Sequence, residues 1–299
     1  MEFGWRRQSP RQFQRLHPNS ATLVKNCDNA NAKAQCVHCI FLTSRPNPMR
    51  LPQFLDLRAG YSGHFSSVPA TTEELKNVCF GIRHDVYCRE LRYEPLRPDG
   101  LETDAFDAHA AHCLIRSIQR EQFIGCIRLI LPNPDDQAAL FPFERTCAGT
   151  LDRNIVDPAK LSRDRIAEVS RLAVISAFRR RKGEVKGPGT IGTGDFGTPD
   201  RPRFPYIPVG LYLGMLAQAQ RHGIHTLFML TEPRLARHLS LLGVRIRRIG
   251  GPVEHRGRRV PSMLSVPGII KGFGPIVRPL YEAIEAEIDA GYRTSKEPA

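Results

Sequence analysis

The residues with the clearest chemical potential lie between positions 168 and 183. Glu168-Val-Ser-Arg171 has the apolar, β-branched surroundings of a strand, and it carries an acid, a hydroxyl and a base. The loop that follows holds four cations and a glycine, namely Arg179, Arg180, Arg181, Lys182 and Gly183. Charged donors and open backbone N–H groups at a strand end suit phosphate. We therefore expect a strand that holds a reacting amine beside a loop that grips a phosphorylated thioester carrier, as acyl transfer requires.

Glu168 is the candidate general base, because an acceptor amine is mostly protonated at neutral pH and must lose a proton before it attacks a thioester. Ser170 shares its face of the strand and could donate a hydrogen bond to the acceptor. A backbone N–H near Val174 would polarise the thioester carbonyl, and a positioned amine needs no covalent intermediate. The alternatives at this stage are a structural ion pair from Glu168 to Arg83 or Arg128, and a serine that only packs.

Charged residues also occur in and beside the apolar strands. Arg83, Arg128 and Arg171 accompany Asp104 and Asp107 along the chain. Buried charges must be paired, so we expect a network that shapes a substrate pocket. One arginine would face the carboxylate of an amino-acid acceptor, for which the planar guanidinium is suited. The alternative is that these pairs only fasten the loop carrying the aspartates to the sheet.

The elements that must position these residues follow from hydrophobic periodicity and turn signals. Helices are predicted at 71–91, 206–222, 233–242 and 276–288. Strands are predicted at 112–118, 123–131, 166–175, 225–230, 244–249 and 260–266. This order predicts an α/β (α+β) fold with a single mixed central sheet flanked by helices.

The domain organisation is read from composition. Residues 1–68 are basic and poorly periodic, and we expect them to be a mostly disordered extension. The folded domain is predicted to span 69–290, with a Gly/Pro-rich mobile insertion at 184–205 and a tail at 291–299.

The net charge of +13 indicates an anionic partner. This partner could be nucleic acid, an anionic membrane or an acidic protein such as an acyl carrier protein. A single Trp and the lack of a helix-turn-helix pattern argue against specific nucleic-acid binding. No apolar run approaches the roughly 20 residues of a membrane helix, and no secretory apolar region opens the chain, so a cytoplasmic protein is expected. Cys36-Val-His-Cys39 lacks a second ligand pair, so no metal site is expected.

Several motifs resemble a known superfamily. Leu172-Ala-Val174 followed by Arg180-x-x-Gly183 resembles the strand end and acyl-carrier loop of the GCN5-related N-acetyltransferase (GNAT) superfamily, over roughly residues 70 to 270. Four motifs in order resemble its autoinducer-synthase-like branch: Arg83-His-Asp-Val-Tyr87, Glu102-Thr-Asp-Ala-Phe-Asp107, Gly125-Cys-Ile-Arg-Leu-Ile-Leu-Pro132 and Glu168-Val-Ser-Arg171. That branch includes acyl-homoserine lactone synthases and N-acyl amino acid synthases. The chain resembles most its PEP-CTERM/exosortase system-associated acyltransferases.

The resemblance implies a GNAT-like fold and an N-acyltransferase. The donor would be an acyl carrier protein or acyl-CoA, the acceptor the amine of an amino acid or related metabolite, and no cofactor would be tightly bound. The implied substrate-binding residues are Arg83, Tyr87, Tyr93, Asp104, Asp107, Arg128 and Arg171.

Two alternatives stay open. One is lactone synthesis from S-adenosylmethionine, which is disfavoured because Tyr93 stands where lactone synthases place a Trp. The other is a non-enzymatic basic module for nucleic acid or an anionic surface.

Overall fold

A computed structural model describes residues 56–179, 197–198, 201–202, 204–232 and 244–295. All of them lie in one structural unit, Pro46–Ala299. Within the described residues, no helix is long and apolar enough to cross a membrane. The predictions for most of the N-terminal extension, for the cations after Arg179, for most of the Gly/Pro-rich insertion and for the helix at 233–242 fall outside the described residues.

The described strands form one mixed eight-stranded sheet in the order β1-β2-β3-β4-β7-β10-β8, with β9 paired to β10, and a separate two-stranded hairpin of β5 and β6. All neighbours are antiparallel except β4 and β7, which are parallel. The strands are β1 (Phe65–Pro69), β2 (Ala110–Ser117), β3 (Gln122–Ile130), β4 (Ile166–Val174), β5 (Gly197–Thr198), β6 (Arg201–Pro202), β7 (Thr226–Thr231), β8 (Arg247–Arg248), β9 (Val253–Glu254) and β10 (Arg258–Ser265).

Helices cover both faces of this sheet. They are α1 (Leu57–Ser62), α2 (Glu73–Arg83, continued as a π-helix over His84–Glu90), α3 (Pro142–Thr146), α4 (Ser176–Arg179), α5 (Tyr206–Arg221), α6 (Val266–Gly272) and α7 (Arg278–Thr294). Short 3-10 turns occur at Ala105–His109, Pro158–Lys160 and Arg163–Arg165. The start of α2 is set by the Thr72 hydroxyl, which accepts a hydrogen bond from Leu75 N–H at 3.4 Å.

Two apolar cores sit on opposite faces of the sheet. Helices α5, α6 and α7 pack against one face, where Leu129, Val169 and Leu227 are buried. On the other face, α2 packs near Ala173 and the aromatic residues of α3 pack near Phe228. Val169 and its neighbour Glu168 therefore point to opposite faces, as strand geometry requires.

The parallel pairing between β4 and β7 is short. It joins Ile166–Val169 to Thr226–Met229 and then stops, although both strands continue. From Ser170 onward, β4 pairs only with β3. The sheet therefore opens at its centre, between the second half of β4 and the end of β7.

A β-bulge lies at the same point. The β3–β4 register shifts between Cys126 and Arg128, and Arg171 adopts a φ of +52°. Strict alternation would place the Arg171 side chain on the face opposite Ser170. The inserted residue instead turns the Arg171 side chain toward Asp104, the carboxylate that Arg128 also binds, and Arg128 in turn contacts Ser170.

The single mixed sheet flanked by helices confirms the predicted architecture, and the hairpin of β2 and β3, strand β4 and helix α5 lie where the sequence placed them. The predicted domain boundaries are wrong at both ends. The part of the extension from residue 57 onward holds α1 and edge strand β1, and α7 runs to Thr294 through the expected start of the tail. These N-terminal elements are short and depend on tertiary contacts such as Tyr61 Oη to Ser67 Oγ at 2.7 Å, so local periodicity did not indicate them.

Two further corrections concern the C-terminal part. The strand predicted at 244–249 is reduced to Arg247–Arg248, because this segment pairs with β10 only at Ser262 and Met263. The sequence also did not predict α6, which begins directly after β10 with the Ser265 hydroxyl as its N-cap.

Candidate active site

A cavity of about 310 Å³ lies at the opening between β4 and β7. Its wall includes seven of the residues predicted for the site, Tyr87, Tyr93, Asp104, Arg128, Glu168, Ser170 and Arg171. It also includes Leu172 and Tyr212 on the α5 side, so the cavity reaches through the sheet opening toward both faces. The structure thus brings together residues that are spread over more than eighty positions of the sequence.

Glu168 is buried at the base of the cavity, with 4% of its surface exposed. Its Oε2 accepts a hydrogen bond of 2.9 Å from the backbone N–H of Phe143. Burial raises the pKa of Glu168 from 4.5 to about 8, with a contribution from the nearby Glu144 carboxylate, while the Phe143 N–H and the Arg128 charge oppose this rise. A carboxyl group with a pKa near the operating pH is suited to general acid–base work.

Arg128 and Ser170 form the wall above Glu168. The two residues are register partners on β3 and β4, and Arg128 Nε donates to Ser170 Oγ at 3.0 Å. Arg128 Nη1 donates to Asp104 Oδ1 at 2.7 Å and to Asp107 Oδ1 at 2.8 Å. Arg128 thus occupies one of the two lone pairs of Ser170 Oγ, and the hydroxyl hydrogen stays free to turn toward the cavity. Among the described residues, Glu168 forms no ion pair with Arg83 or Arg128, which was the structural alternative left open by the sequence. Both arginines pair with other carboxylates.

Arg171 forms the next part of the wall. Its Nη2 donates to Glu102 Oε1 at 3.0 Å, to Asp104 Oδ2 at 3.2 Å and to Glu94 Oε1 at 3.4 Å. Its guanidinium also lies 5.8 Å from the centre of the Tyr87 ring. These contacts fix the guanidinium beside the cavity.

Arg83 lies behind this wall and does not line the cavity. Its side chain is fully buried, donates to Glu102 Oε2 at 2.5 Å, and holds both oxygens of Asp107 at 2.7 and 3.0 Å. Asp107 is also set back from the cavity. From this position Arg83 and Asp107 anchor helix α2 and the 3-10 turn at Ala105–His109 to the sheet, and they thereby orient Arg128 and Asp104.

The acids of this network are ionised. Burial pushes the pKa of Asp107 upward, but the Arg83 hydrogen bonds and the Arg128 charge outweigh it and hold the pKa well below its usual value. The pKa of Glu102 and of Asp104 is lowered in the same way, against burial, by Arg83 and Arg128 respectively. Glu168 alone among these carboxyl groups has a raised pKa.

Aromatic residues complete the wall near Arg171. Tyr87 Oη donates to the Leu172 carbonyl at 2.6 Å, and burial raises the pKa of this phenol to about 12. Tyr93 lies next to it, with ring centres 6.5 Å apart. Both line the cavity, as predicted for substrate-binding residues, although their contact with a substrate stays a prediction.

The end of β4 presents backbone groups to the sheet opening. Ile175 N–H donates to Ile124 O on β3, whereas Val174 O accepts from Arg179 Nη1 at 3.2 Å on the other side. Because the N–H and C=O of one strand residue point the same way, the Val174 N–H also faces the opening. Arg179 forms an ion pair with Glu90, and the remaining loop residues Arg180 to Gly183 lie outside the described residues.

Three basic residues of the cavity wall were not predicted from the sequence, His255, Arg256 and Arg259. They belong to the β9–β10 hairpin, where Arg256 forms an ion pair with Glu94 and Arg259 Nη1 lies 2.8 Å from Glu232 Oε1. The sequence signal is the basic run His255-Arg-Gly-Arg-Arg259, and a basic run alone does not distinguish a cavity wall from a solvated surface.

Comparison with known families supports the fold. Residues 82–186 match the family model described as acetyltransferase (GNAT) domain. The predicted GNAT-like fold class and the predicted enzyme class, an acyltransferase, are confirmed by this match. The matched segment contains Arg83, Arg128, Glu168 and Arg171. The chain has no match among curated proteins.

Several solved structures are similar to this chain. The acyl-homoserine lactone synthase LasI is 17% identical and aligns over 73% of this chain and 94% of its own, with a TM-score of 0.47. The CoA-dependent acyl-homoserine lactone synthase MesI is 21% identical over 79% and 97%, with a TM-score of 0.45. FeeM, an N-acyl amino acid synthase from uncultured soil microbes, is 15% identical over 70% and 94%, with a TM-score of 0.46.

Proposed function

We propose that the protein is an N-acyltransferase that moves a fatty acyl group from a thioester carrier to the amine of an amino acid or related metabolite. The observation that carries the proposal is the position of Glu168 in the cavity. A single carboxyl group of raised pKa lies in the cavity wall together with the guanidiniums of Arg128 and Arg171, at the point where the pairing between β4 and β7 stops.

The chemistry needs two proton transfers. The acceptor enters as an ammonium ion and gives one proton to the Glu168 carboxylate, directly or through water. The amine nitrogen then attacks the thioester carbonyl carbon, the C–N bond forms and the C–S bond breaks. The second amine proton goes to the departing thiolate, and Glu168 returns its proton to solvent.

The residues above Glu168 would position the reactants. Ser170 is placed to donate its hydroxyl hydrogen to the acceptor, and Val174 N–H is placed to stabilise the carbonyl oxygen as it gains negative charge. On the α5 side of the opening, an apolar pocket lined by Val209, Tyr212 and Phe273 adjoins the cavity and suits the start of an acyl chain.

The donor is proposed to be an acyl carrier protein, with acyl-CoA as the alternative. Acyl carrier proteins are acidic, and the net charge of +13 favours encounter with an acidic partner. On the sequence resemblance alone, we further propose that the enzyme is of the PEP-CTERM/exosortase-associated type. We also propose that it is cytoplasmic.

Lipid mass spectrometry of a host that expresses the protein tests the function. A new N-acylated amine should appear with the wild type and fall by about 10²- to 10⁴-fold with Glu168→Gln, which keeps the size of the side chain but removes the base. Glu287→Gln is the matched control, because Glu287 is a half-buried carboxyl group that also accepts a backbone N–H, from Ser67 at 2.7 Å, and does not line the cavity. An unchanged product yield in the Glu168 variant would remove Glu168 from the base role, and methylthioadenosine as a product would instead favour lactone synthesis.

A further inference from the structure

We propose that the β9–β10 hairpin binds the carboxylate of the acceptor, through the guanidiniums of Arg256 and Arg259. This inference rests on the proposed N-acyltransferase function and assigns the acceptor class as a free amino acid, as opposed to an amine without a carboxylate. It also assigns this role to residues far from the motif that carries the base.

The sheet register places the hairpin on the base side of the cavity. Glu168 pairs with Phe228 on β7, and Phe228 pairs with Met263 on β10, so these side chains share one face of the sheet. Two and four residues before Met263, the same face holds Pro261 and Arg259. The Arg259 guanidinium therefore overhangs the same face as Glu168, from the opposite side of the opening.

The wall presents more positive than negative groups to the cavity. Four guanidiniums line the cavity, those of Arg128, Arg171, Arg256 and Arg259. The carboxyl groups that line it are Asp104 and Glu168. The other carboxylates that pair with these arginines, Glu94, Glu102, Asp107 and Glu232, do not line the cavity, so the surface that faces it is positive and favours a substrate with a negative group.

The two hairpin arginines retain donors for a ligand. Within the described residues, Arg256 donates to Glu94, and Arg259 contacts Glu232 and the Arg256 carbonyl. Each guanidinium carries five N–H donors in a planar fork that matches a carboxylate. Arg128 and Arg171 are more fully committed, since together they bind Glu94, Glu102, Asp104 and Asp107.

The hairpin turn holds the donors in place. Arg256 has a φ of +52° and Gly257 a φ of +96°, and His255 N–H donates to Gly257 O at 3.0 Å. This tight turn fixes where the Arg256 side chain leaves the backbone. A preformed donor pair loses less conformational entropy on binding than a flexible one.

The same arginines could instead bind a phosphate of the acyl donor. The donor loop follows β4 at Arg179, however, whereas the hairpin faces the base. The acceptor carboxylate and the donor phosphate are distinguished by measuring, in the same variants, the KM of the amine acceptor and the KM of the thioester donor.

Arg256→Gln and Arg259→Gln are the test variants, and Arg258→Gln is the matched control, because Arg258 is exposed on the same hairpin and does not line the cavity. We expect both test variants to raise the acceptor KM by about tenfold or more, the loss for a charged hydrogen bond, and to leave the donor KM unchanged. An unchanged acceptor KM, or a rise confined to the donor KM, would overturn the proposal.

A binding measurement separates this proposal from the proposed function, since it requires no turnover. Calorimetry would compare N-dodecanoylglycine with its methyl ester. The wild type and Arg258→Gln should bind the free acid at least about tenfold more tightly than the ester, and both test variants should lose that preference. Equal binding, absence of binding, or a preference that survives in both test variants contradicts the carboxylate site. Failure of acyl transfer with the preference intact would instead count against the proposed reaction alone.

Discussion

The raised pKa of Glu168 makes stability, as well as activity, depend on pH. The folded protein binds the Glu168 proton more tightly than the unfolded chain, because the pKa is about 8 in the folded state and 4.5 for an unperturbed glutamate. The stability contributed by the neutral carboxyl group is therefore complete below pH 4.5 and is lost as the pH rises through 8. Glu168→Gln removes this dependence and retains an oxygen for the Phe143 N–H.

The size of the effect follows from the shift. About 3.5 pKa units at about 1.36 kcal/mol each give an upper bound of roughly 5 kcal/mol. The difference in free energy of unfolding between Glu168→Gln and the wild type should thus grow in favour of the variant between pH 5 and pH 8, by up to that amount, and then level off. Urea unfolding at several pH values measures it. In parallel, the activity of the wild type should rise toward pH 8.

A flat difference across this range would refute the reasoning. It would mean that Glu168 ionises in the folded state at an ordinary pH, and the argument for a base poised near neutrality would fail with it. Glu144→Gln checks the assignment, because loss of the Glu144 charge, which raises the pKa of Glu168, should move the pH dependence of stability to lower pH.

Three other predictions concern different parts of the site. Arg83→Leu should cost about 3–5 kcal/mol in urea unfolding, because Glu102 and Asp107 lose a buried partner, whereas Arg89→Leu at an exposed pair should cost about 0–1 kcal/mol. His112 is buried, and its Nε2 has no hydrogen-bond partner among the described residues and lies 3.6 Å from Asp107 Oδ1. Burial lowers its pKa to about 3, against the effect of the Asp107 charge. His112→Gln should therefore move acid unfolding to lower pH, which circular dichroism would show, and an unchanged midpoint would contradict it. Exchanging Arg180 and Arg181 for Glu should abolish acyl transfer from acyl carrier protein and leave the melting temperature unchanged. Full activity of this variant would show that these arginines do not bind the donor.

The sequence predicted the central part of the site because its signals are local. Glu168 and Ser170 sit on an apolar strand with period two, and the β2–β3 hairpin has a clear polar turn. Pairing of the buried charges could be expected from their cost alone. The sequence could not say that Arg83 stands behind the wall, since that depends on how α2 packs.

Other features depend on tertiary structure. The bulge that turns the Arg171 side chain toward Glu102 requires a left-handed backbone at an arginine, a residue type that gives no signal for such a conformation. The hairpin carrying Arg256 has two-residue strand pairing at β9, which is too short for alternation to show. The proposed role of the hairpin can be inferred only from the strand register, which connects β10 to β4 through β7.

The ion pair between Arg256 and Glu94 joins residues 162 positions apart in the chain. Contacts of such high sequence separation form late, because long loops must close before they add stability. Synthesis begins at the N-terminus, so the base-bearing strand leaves the ribosome well before the hairpin does. The cavity is therefore completed only at the end of folding. A chain that ends before Arg256 would carry Glu168 and the acidic network without one wall of the site.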